Sequence, residues 1–150
     1  MEERRHDTPA RSLRSIAEMP DIDYTRLANF RYAILTTVGD DGYPFSITTN
    51  YQLTPDKKIL LDKPILPSRL DGKKVNVLFN HITGIPTGGY TDRRYMLIWG
   101  TTHEERGKLR LEPEKLSEWD EKILPFPEYC AKVAPQGAKY LQKLQPSVEA

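Results

Sequence analysis

The sequence predicts a mainly β fold, a β-barrel with flanking helices, because the spacing of its apolar residues changes twice along the chain. Apolar residues recur at helical spacing before residue 30, alternate with polar ones between residues 32 and 111, and return to helical spacing after residue 113. Turn sequences separate the alternating stretches, so we expect neighbouring stretches to pair as antiparallel strands. With 150 residues, 38% of them hydrophobic, the chain is predicted to form one domain.

Within this single domain, residues 1–150, four parts are expected. Residues 1–10 mix charges with Thr8 and Pro9 without any period, which predicts a flexible arm. Residues 11–30 predict two short N-terminal helices, divided at Pro20 because proline lacks the amide that would continue the first helix. Residues 32–111 predict the barrel. Residues 113–145 predict C-terminal helices, with Pro113 in a first turn and an interruption near Pro135.

The first strands are predicted most directly. Tyr32–Val38 is rich in β-branched and apolar residues, and the Asp-Gly pair in Gly39–Gly42 is typical of a tight hairpin. Phe45–Leu53 then alternates apolar and polar residues, which indicates a half-buried strand. A proline turn at Thr54–Lys57 leads to a third strand at Lys58–Asp62. These stretches predict three antiparallel strands in succession.

The second half of the barrel has longer connections. Lys63–Lys74 contains two prolines and a glycine, and is predicted to be a loop. Val75–Asn80 and Arg94–His103 are predicted strands, and the second is apolar on both faces, which favours a central place in the sheet. Thr83–Asp92, with three glycines and a proline, is predicted to be a loop. Gly107–Leu111 is expected to add a last strand.

Composition excludes several classes of function. Lys and Arg number 22 against 21 for Asp and Glu, so a net charge of +1 gives no general attraction to nucleic acid or acidic membranes, and neither partner is expected. No apolar run is long enough to span a bilayer and no signal peptide is visible, which predicts a cytoplasmic protein. The single cysteine, Cys130, excludes an internal disulfide, and His6, His81 and His103 lack the spacing of a metal site. The catalytic residues remain unknown, because no nucleophile or P-loop motif is present.

One segment has the chemistry to bind phosphate. Ser68 offers a hydroxyl and Arg69 a guanidinium that can bind a phosphate through two hydrogen bonds. Lys63, Lys73 and Lys74 can add positive charge. The alternative interpretation is that these are solvated charges of an ordinary loop.

The order of the segments AILTTVGDDGYPFSITTNYQL, KKILLD, PSRLDG, VNVLFN and YMLIWGTTHEE resembles the pyridoxamine 5′-phosphate oxidase-like family of flavin-binding split barrels, over about residues 22–104. The Asp-Gly-Tyr-Pro hairpin followed by Asn50-Tyr51 is most similar to the nitroimidazole-resistance branch. This resemblance implies a six-stranded antiparallel split barrel of the FMN-binding type. It also implies a homodimer that holds FMN in a groove between the two subunits, an arrangement in which the apolar C-terminal helices would find a surface to cover.

The resemblance assigns cofactor contacts to seven residues: Thr48, Thr49, Asn50, Lys63, Ser68, Arg69 and Trp99. The Ser-Arg pair matches the family's phosphate-binding pair, and residues 48–50 match positions that face the ribityl chain and the isoalloxazine edge. Lys63 fits a place near the phosphate, whereas Asp62 would repel it unless a base intervenes. Trp99 is able to stack on a flavin or substrate ring of the partner subunit, and a core role is the alternative.

Two departures from the family limit what the resemblance implies. Leu70–Lys74 is shorter and glycine-broken where the family has a helical turn, and the C-terminal signature that reads pyridoxal phosphate is absent, so vitamin B6 oxidation is not favoured. The implied function is an FMN-dependent oxidoreductase acting on a small-molecule substrate or electron donor. Three alternatives stay open: a scaffold with a degenerate pocket, a relative that binds deazaflavin or haem, the latter through His81 or His103, and a small nucleic-acid-binding barrel. The last alternative would use Lys57, Lys58, Tyr90, Arg93, Arg94 and Tyr95.

Overall fold

The computed structural model describes residues 20–65 and 69–144. These residues form two helices and seven strands. The order is α1 (Tyr24–Leu27), β1 (Ala33–Val38), β2 (Pro44–Thr49), β3 (Tyr51–Leu53), β4 (Ile59–Asp62), β5 (Lys73–Gly84), β6 (Tyr90–Glu105), β7 (Lys108–Asp120) and α2 (Phe126–Leu144). The predicted arm at residues 1–10 and the first predicted N-terminal helix lie outside the described residues.

The strands form one antiparallel sheet in the order β2-β1-β5-β6-β7-β4-β3. The fold is therefore mainly β with flanking helices, as predicted, and β6 is central, as its apolar sequence indicated. Seven strands are present among the described residues instead of six, because the single strand predicted at Phe45–Leu53 is divided at Asn50. The division changes the sheet partner of the chain from β1 to β4.

The two outermost strands of this sheet are consecutive in the sequence. β2 ends at Thr49, β3 begins at Tyr51, and Asn50 alone connects them. Two Cα–Cα steps span at most about 7.6 Å, so the two edges of the sheet must lie side by side at this point. The sheet therefore closes on itself between β2 and the β3–β4 hairpin, which is the closure that a barrel needs.

The described residues form two compact units. The larger contains the described residues up to Asn80 together with Tyr95–Glu118, and the smaller contains His81–Arg94 together with the described residues from Trp119 onward. Strands β5, β6 and β7 contribute residues to both units.

The core of the larger unit is built by alternation along its strands. In β1, Ala33 and Leu35 are buried while Ile34 and Thr36 are half-buried, so successive residues face opposite sides of the sheet. The large apolar side chains without exposed surface are Leu27, Leu35, Leu61, Val77, Phe79, Met96, Ile98 and Leu109. Burying one such side chain contributes on the order of 1.5–3 kcal/mol, which makes this cluster the main source of stability.

The segment before the sheet is held by one tyrosine. Helix α1 has a single turn, capped by Asp23, whose Oδ1 accepts hydrogen bonds from the backbone of Thr25 and Arg26 at 3.1 Å. The hydroxyl of Tyr51 shares its proton between the carbonyl oxygens of Leu27 and Phe30, at 2.6 and 2.5 Å. The second predicted N-terminal helix is thus only one turn long, and a side chain of β3 fixes its end.

The predicted hairpin between the first two strands is confirmed. Gly42 has a φ of 83°, which suits glycine, and its N–H donates to the carbonyl of Gly39 at 3.0 Å. The register pairs Val38 with Pro44 and Ala33 with Thr49. Local turn chemistry alone was sufficient to predict this part of the barrel.

The helix predicted from Pro113 is wrong, because β7 continues as a strand to Asp120. Pairing between β7 and β4 ends with Leu111 opposite Ile59, so Pro113 removes no hydrogen bond to β4. The long β6 strand on the other side extends the ladder. Sheet pairing therefore overrides the helical spacing of Leu116 and Trp119.

Two further predictions in the smaller unit are corrected. The loop predicted at Thr83–Asp92 is shorter, because β5 reaches Gly84 and β6 begins at Tyr90. Helix α2 runs through Pro135 without the predicted interruption. Proline leaves one carbonyl in the preceding turn without its usual partner, and this part of the helix is exposed, so water can replace that hydrogen bond.

The smaller unit is organised around Trp119. Its ring stacks on Tyr129 with centroids 4.4 Å apart, and its Nε1–H donates to the carbonyl of Leu124 at 2.7 Å. Arg93 forms a two-point ion pair with Glu121 and lies 4.1 Å from the ring centroid of Phe126. These contacts hold the start of α2. Neither helix of the described chain combines the length and apolar character that crossing a membrane requires.

The close approach of β6 and β7 at Gly100 gives a stability prediction. A Cβ atom at Gly100 would overlap the backbone carbonyl of Glu112, whereas a Cβ at Gly84 would meet nothing. We expect Gly100→Ala to lower the free energy of unfolding by roughly 1–3 kcal/mol, measured by urea denaturation. Gly84→Ala is the matched control and should change it by less than about 0.5 kcal/mol. Equal values for the two variants would contradict the close approach.

Candidate functional site

A cleft of about 310 Å³ lies where the two edges of the sheet meet. It is lined by Thr48, Thr49, Asn50, Asp62, Lys63 and Pro64. The first two residues end β2, Asn50 is the connecting residue, and Asp62 ends β4. Closure of the sheet therefore brings together two segments that the sequence separates by more than ten residues.

Thr49 joins the two edges. Its side chain is 7% exposed, and its hydroxyl lies 2.9 Å from the carbonyl of Asp62 and 3.2 Å from that of Asn50. The N–H of Asp62 donates to the carbonyl of Asn50 at 3.0 Å. The hydroxyl of Thr49 is therefore used within the fold, whereas Thr48 and Asn50 are exposed and can contact a ligand.

Asp62 is neutralised by Lys108. The Nζ of Lys108 contacts Oδ1 of Asp62 at 2.5 Å, and this hydrogen bond is the main reason that the pKa of Asp62 lies below its ordinary value. The charge of Lys108 and a hydrogen bond from Asn50 lower this pKa further, against the opposing effect of desolvation. Lys108 is thus the base that an anion beside Asp62 would require.

Sequence reasoning missed Lys108. Lys108 is 46 positions from Asp62 in the sequence, and the two residues meet because the β4–β7 register pairs them. No local pattern encodes that register. A complementary charge at the start of the last strand was the one available signal.

Lys63 connects the cleft with the segment after the loop. Its Nζ lies 3.2 Å from Oε1 of Glu104, and the N–H of Glu104 donates to Asp71 at 2.8 Å. The side chain of Lys63 is 47% exposed, and an ion pair at such exposure contributes at most about 1 kcal/mol. An incoming phosphate can therefore compete for this ammonium group.

Arg69 does not line the cleft, and Ser68 lies outside the described residues. The backbone N–H of Arg69 donates to Asp40 at 3.3 Å, in the turn between β1 and β2. Lys73 also contacts Asp40, at 3.5 Å, and Lys74 pairs with Glu114. The structure thus places Arg69 beyond the end of β2 that is opposite Thr48 and Asn50.

Trp99 is half-buried in the middle of β6 and does not line the cleft. The Nζ of Lys115 lies 4.7 Å from the centroid of its ring, a cation–π arrangement. Of the seven residues that the resemblance named, the structure therefore brings four into one cleft: Thr48, Thr49, Asn50 and Lys63.

A second cleft, of about 620 Å³, lies at the turns β3–β4 and β6–β7. It is lined by Thr54, Asp56, Lys58, Leu60, Glu105, Arg106 and Lys108. Asp56 pairs with Lys58 at 3.7 Å, and Glu105 with Arg110 at 2.6 Å. Lys108 lies between the two clefts, since it lines the second and holds Asp62 of the first. The sequence analysis did not anticipate this cleft.

The residues behind the alternative functions have acidic neighbours. His81 lies 3.1 Å from Asp92, and His103 lies 2.8 Å from Glu112. Arg94 also pairs with Asp92, at 2.9 Å. Together with the pairs of Lys58 and Arg93 described above, these contacts leave less positive charge for a polyanion than the sequence alone indicated.

Comparisons with known proteins bear on the fold. No protein-family profile matches the sequence, and no curated protein does. Three solved chains match the structure. One is the conserved hypothetical protein Rv2991 from Mycobacterium tuberculosis, at 17% identity and a TM-score of 0.50, covering 71% of this chain and 89% of that one. Another is Atu2129 from Agrobacterium tumefaciens strain C58, a protein of unknown function, at 13% identity and a TM-score of 0.46, covering 79% of this chain and 59% of that one.

The similarity to Rv2991 shows a shared fold. The fold class is an antiparallel split barrel with a flanking helix, which confirms the class that the sequence predicted. At 17% identity the similarity carries no information on activity or ligand.

The Asp62–Lys108 pair gives a prediction about ionisation. Lys108→Met should raise the pKa of Asp62 towards its ordinary value, measured by NMR titration of the carboxyl carbon. Lys115→Met, which removes a lysine that contacts Trp99 instead, should leave this pKa lowered. An unchanged pKa in Lys108→Met would contradict the pairing.

The same shift fixes the sign of a pH effect on stability. Because the pKa of Asp62 is lower in the folded state, its contribution is present above the ordinary aspartate pKa and is lost as the pH falls through the folded value. In Lys108→Met the stability should fall less between neutral and acidic pH than in the unmodified protein.

Proposed function

We propose that this protein binds FMN in the cleft at the barrel closure and acts as an FMN-dependent oxidoreductase, as a homodimer in the cytoplasm. The observation that carries the proposal is the meeting of Thr48, Thr49, Asn50 and Lys63 in one cleft. These are four of the positions at which the sequence resembles the pyridoxamine 5′-phosphate oxidase-like family and, within it, the nitroimidazole-resistance branch.

The side chains at the cleft suit the two ends of an FMN molecule. Thr48 and Asn50 offer a hydroxyl and an amide, which can bond to ribityl hydroxyls and to the polar edge of the ring. Lys63, in the same cleft, offers an ammonium group that can bind the phosphate.

The charge in the cleft is compatible with a phosphate. Asp62 is the only acid among the lining residues, and Lys108 neutralises it. Lys63 would then hold the phosphate through charge-assisted hydrogen bonds, which are roughly twice as strong as neutral ones, and the part assigned to Arg69 rests on the resemblance alone.

The size of the cleft supports the dimer. At about 310 Å³ it is at the lower limit of small-molecule sites, which are about 300–1,000 Å³. Three of the six lining residues, Thr48, Asn50 and Lys63, are exposed, so one subunit would cover only part of a flavin. A second subunit would supply the remaining wall and exclude water from the ring.

Bound FMN supplies hydride or electron transfer itself. The residues of this chain need only bind and orient it, with Thr49 fixing the backbone that positions Thr48 and Asn50. No general acid or base of the protein is required, which agrees with the absence of a catalytic motif from the sequence. The substrate or electron donor is proposed to be a small molecule.

The decisive experiment is the visible absorption spectrum of the purified protein, before and after addition of FMN and removal of free ligand by gel filtration. Flavin bands that elute with the protein support the proposal. A haem band would overturn it in favour of His81 or His103 as iron ligands, and retention of a deazaflavin alone would replace FMN as the cofactor. A protein that retains none of them would be a scaffold with a degenerate pocket.

The phosphate assignment can be tested by substitution. Arg69→Ala should weaken FMN binding by about 1.5–3 kcal/mol, or roughly 10- to 150-fold, because it removes a charge-assisted contact. Titration of flavin fluorescence measures this change. Arg31→Ala, an exposed arginine that does not line the cleft, is the control and should bind FMN normally. Unchanged affinity in Arg69→Ala would remove Arg69 from the site.

A further inference from the structure

Helix α2 has an apolar face with little to cover it. None of its 19 residues is buried, although Phe126, Tyr140, Leu141 and Leu144 are large and apolar. The exposed fractions of Tyr140, Leu141 and Leu144 are 61%, 61% and 57%. A contiguous apolar face exposed in this way is typical of an interaction surface.

The apolar residues follow the spacing of a helix–helix contact. The seam is formed by Phe126, Cys130, Val133, Gly137, Tyr140 and Leu144, and Leu141 lies beside it. Their separations alternate between four and three residues, the repeat with which one helix packs its side chains between those of another. At 100° per residue, Glu128, Lys132 and Lys139 lie on the side away from the seam, and Lys143 lies beside it. The seam therefore contains no charge.

Among the described residues, α2 is covered only over its first half, where Cys130 and Val133 are half-buried. Trp119 stacks on Tyr129, and Arg93 lies against Phe126, but the unit's contacts do not extend along the seam to Tyr140 and Leu144. The other helix of the described residues, α1, has four residues and cannot pair with one of 19. We propose that α2 pairs in antiparallel orientation with α2 of a second copy of this chain.

The order of large and small side chains along the seam favours the antiparallel orientation. The seam positions are symmetric about Pro135, so an antiparallel pair sets Phe126 of one copy opposite Leu144 of the other, and Val133 opposite Gly137. Large side chains then face small ones at the centre. A parallel pair would set Gly137 opposite itself, which leaves a void, and Tyr140 against Tyr140.

The helix dipoles favour the same orientation. In an antiparallel pair the positive end of each helix lies level with the negative end of the other, whereas a parallel pair brings like ends together.

The available area is sufficient for a weak specific dimer. A large apolar side chain buries on the order of 150–250 Å², so the exposed parts of the seam amount to roughly 500 Å² in each copy. Two copies would then bury about 1,000 Å², close to the lower limit for a specific interface. This pairing rests on the homodimer in the proposed function and not on the binding of FMN.

The single cysteine of the chain makes the orientation measurable. An antiparallel pair centred on Pro135 sets Cys130 opposite residue 140 of the second copy. Tyr140→Cys, treated with a short bismaleimide, should give a covalent dimer linked between positions 130 and 140, identified by mass spectrometry. The unmodified protein should not be linked between two Cys130 residues. Gln142→Cys, on the opposite side of α2, is the control and should not be linked through position 142.

A linkage between two Cys130 residues in the unmodified protein would indicate a parallel pair and overturn the proposal. Absence of the 130–140 linkage in Tyr140→Cys would also overturn it. Because one helix separates residues 130 and 140 by about 15 Å, a short reagent cannot produce this linkage within a single copy.

A second measurement separates this proposal from the proposed function. Light scattering should give a dimer for the unmodified protein and a monomer for Leu141→Gln/Leu144→Gln, while Lys132→Gln/Lys139→Gln, on the opposite face, stays dimeric. A dimeric Leu141→Gln/Leu144→Gln would overturn the pairing of α2 and leave the homodimer intact. A monomeric unmodified protein would overturn both, and FMN titration of the same samples reports on the flavin site independently.

The same experiment distinguishes two other ways in which the seam could be covered. If the unmodified protein is monomeric and binds phosphatidylserine vesicles through Leu141 and Leu144, a membrane surface covers the seam and the proposal is wrong. If it is monomeric, does not bind vesicles, and a cysteine at position 140 is protected from alkylation, the seam is covered within the chain, which overturns the proposal as well.

Discussion

The geometry of the barrel depends on the one-residue connection at Asn50. Because β2 and β3 occupy opposite edges of the sheet, a connection of one residue is possible only if those edges lie side by side. The hydroxyl of Thr49 and the N–H of Asp62 then satisfy the backbone carbonyls at the junction. The residues that close the sheet therefore also satisfy the backbone hydrogen bonds at the junction.

The candidate site follows from that closure. Where two sheet edges meet, the regular ladder ends, and side chains from both edges converge on the gap. Thr49 is buried and fixes the backbone, while Thr48, Asn50 and Lys63 remain exposed around it. A ligand bound there would bridge both edges, so it would stabilise the closed barrel as well as occupy the cleft.

The sequence predicted those features that depend on neighbouring residues. The Asp-Gly turn fixed the first hairpin, and apolar residues on both faces of Arg94–His103 indicated the central strand. Features that depend on distant pairing could not be predicted. The ion pair of Asp62 with Lys108 requires the register of β4 with β7, and the strand through Pro113 requires that this register end at Leu111. Local helical spacing is misleading in such a segment because the sheet, once formed, outweighs it.

Two surfaces of the chain remain exposed, and they are independent of each other. The cleft leaves Thr48, Asn50 and Lys63 exposed, and the seam of α2 leaves Tyr140 and Leu144 exposed. The first belongs to the larger unit and the second to the smaller. The first concerns polar groups that orient a ligand, and the second concerns apolar surface that drives association. In the proposed homodimer a second copy would meet both, so substitutions in α2 test the proposed pairing and substitutions in the cleft test the proposed FMN site separately.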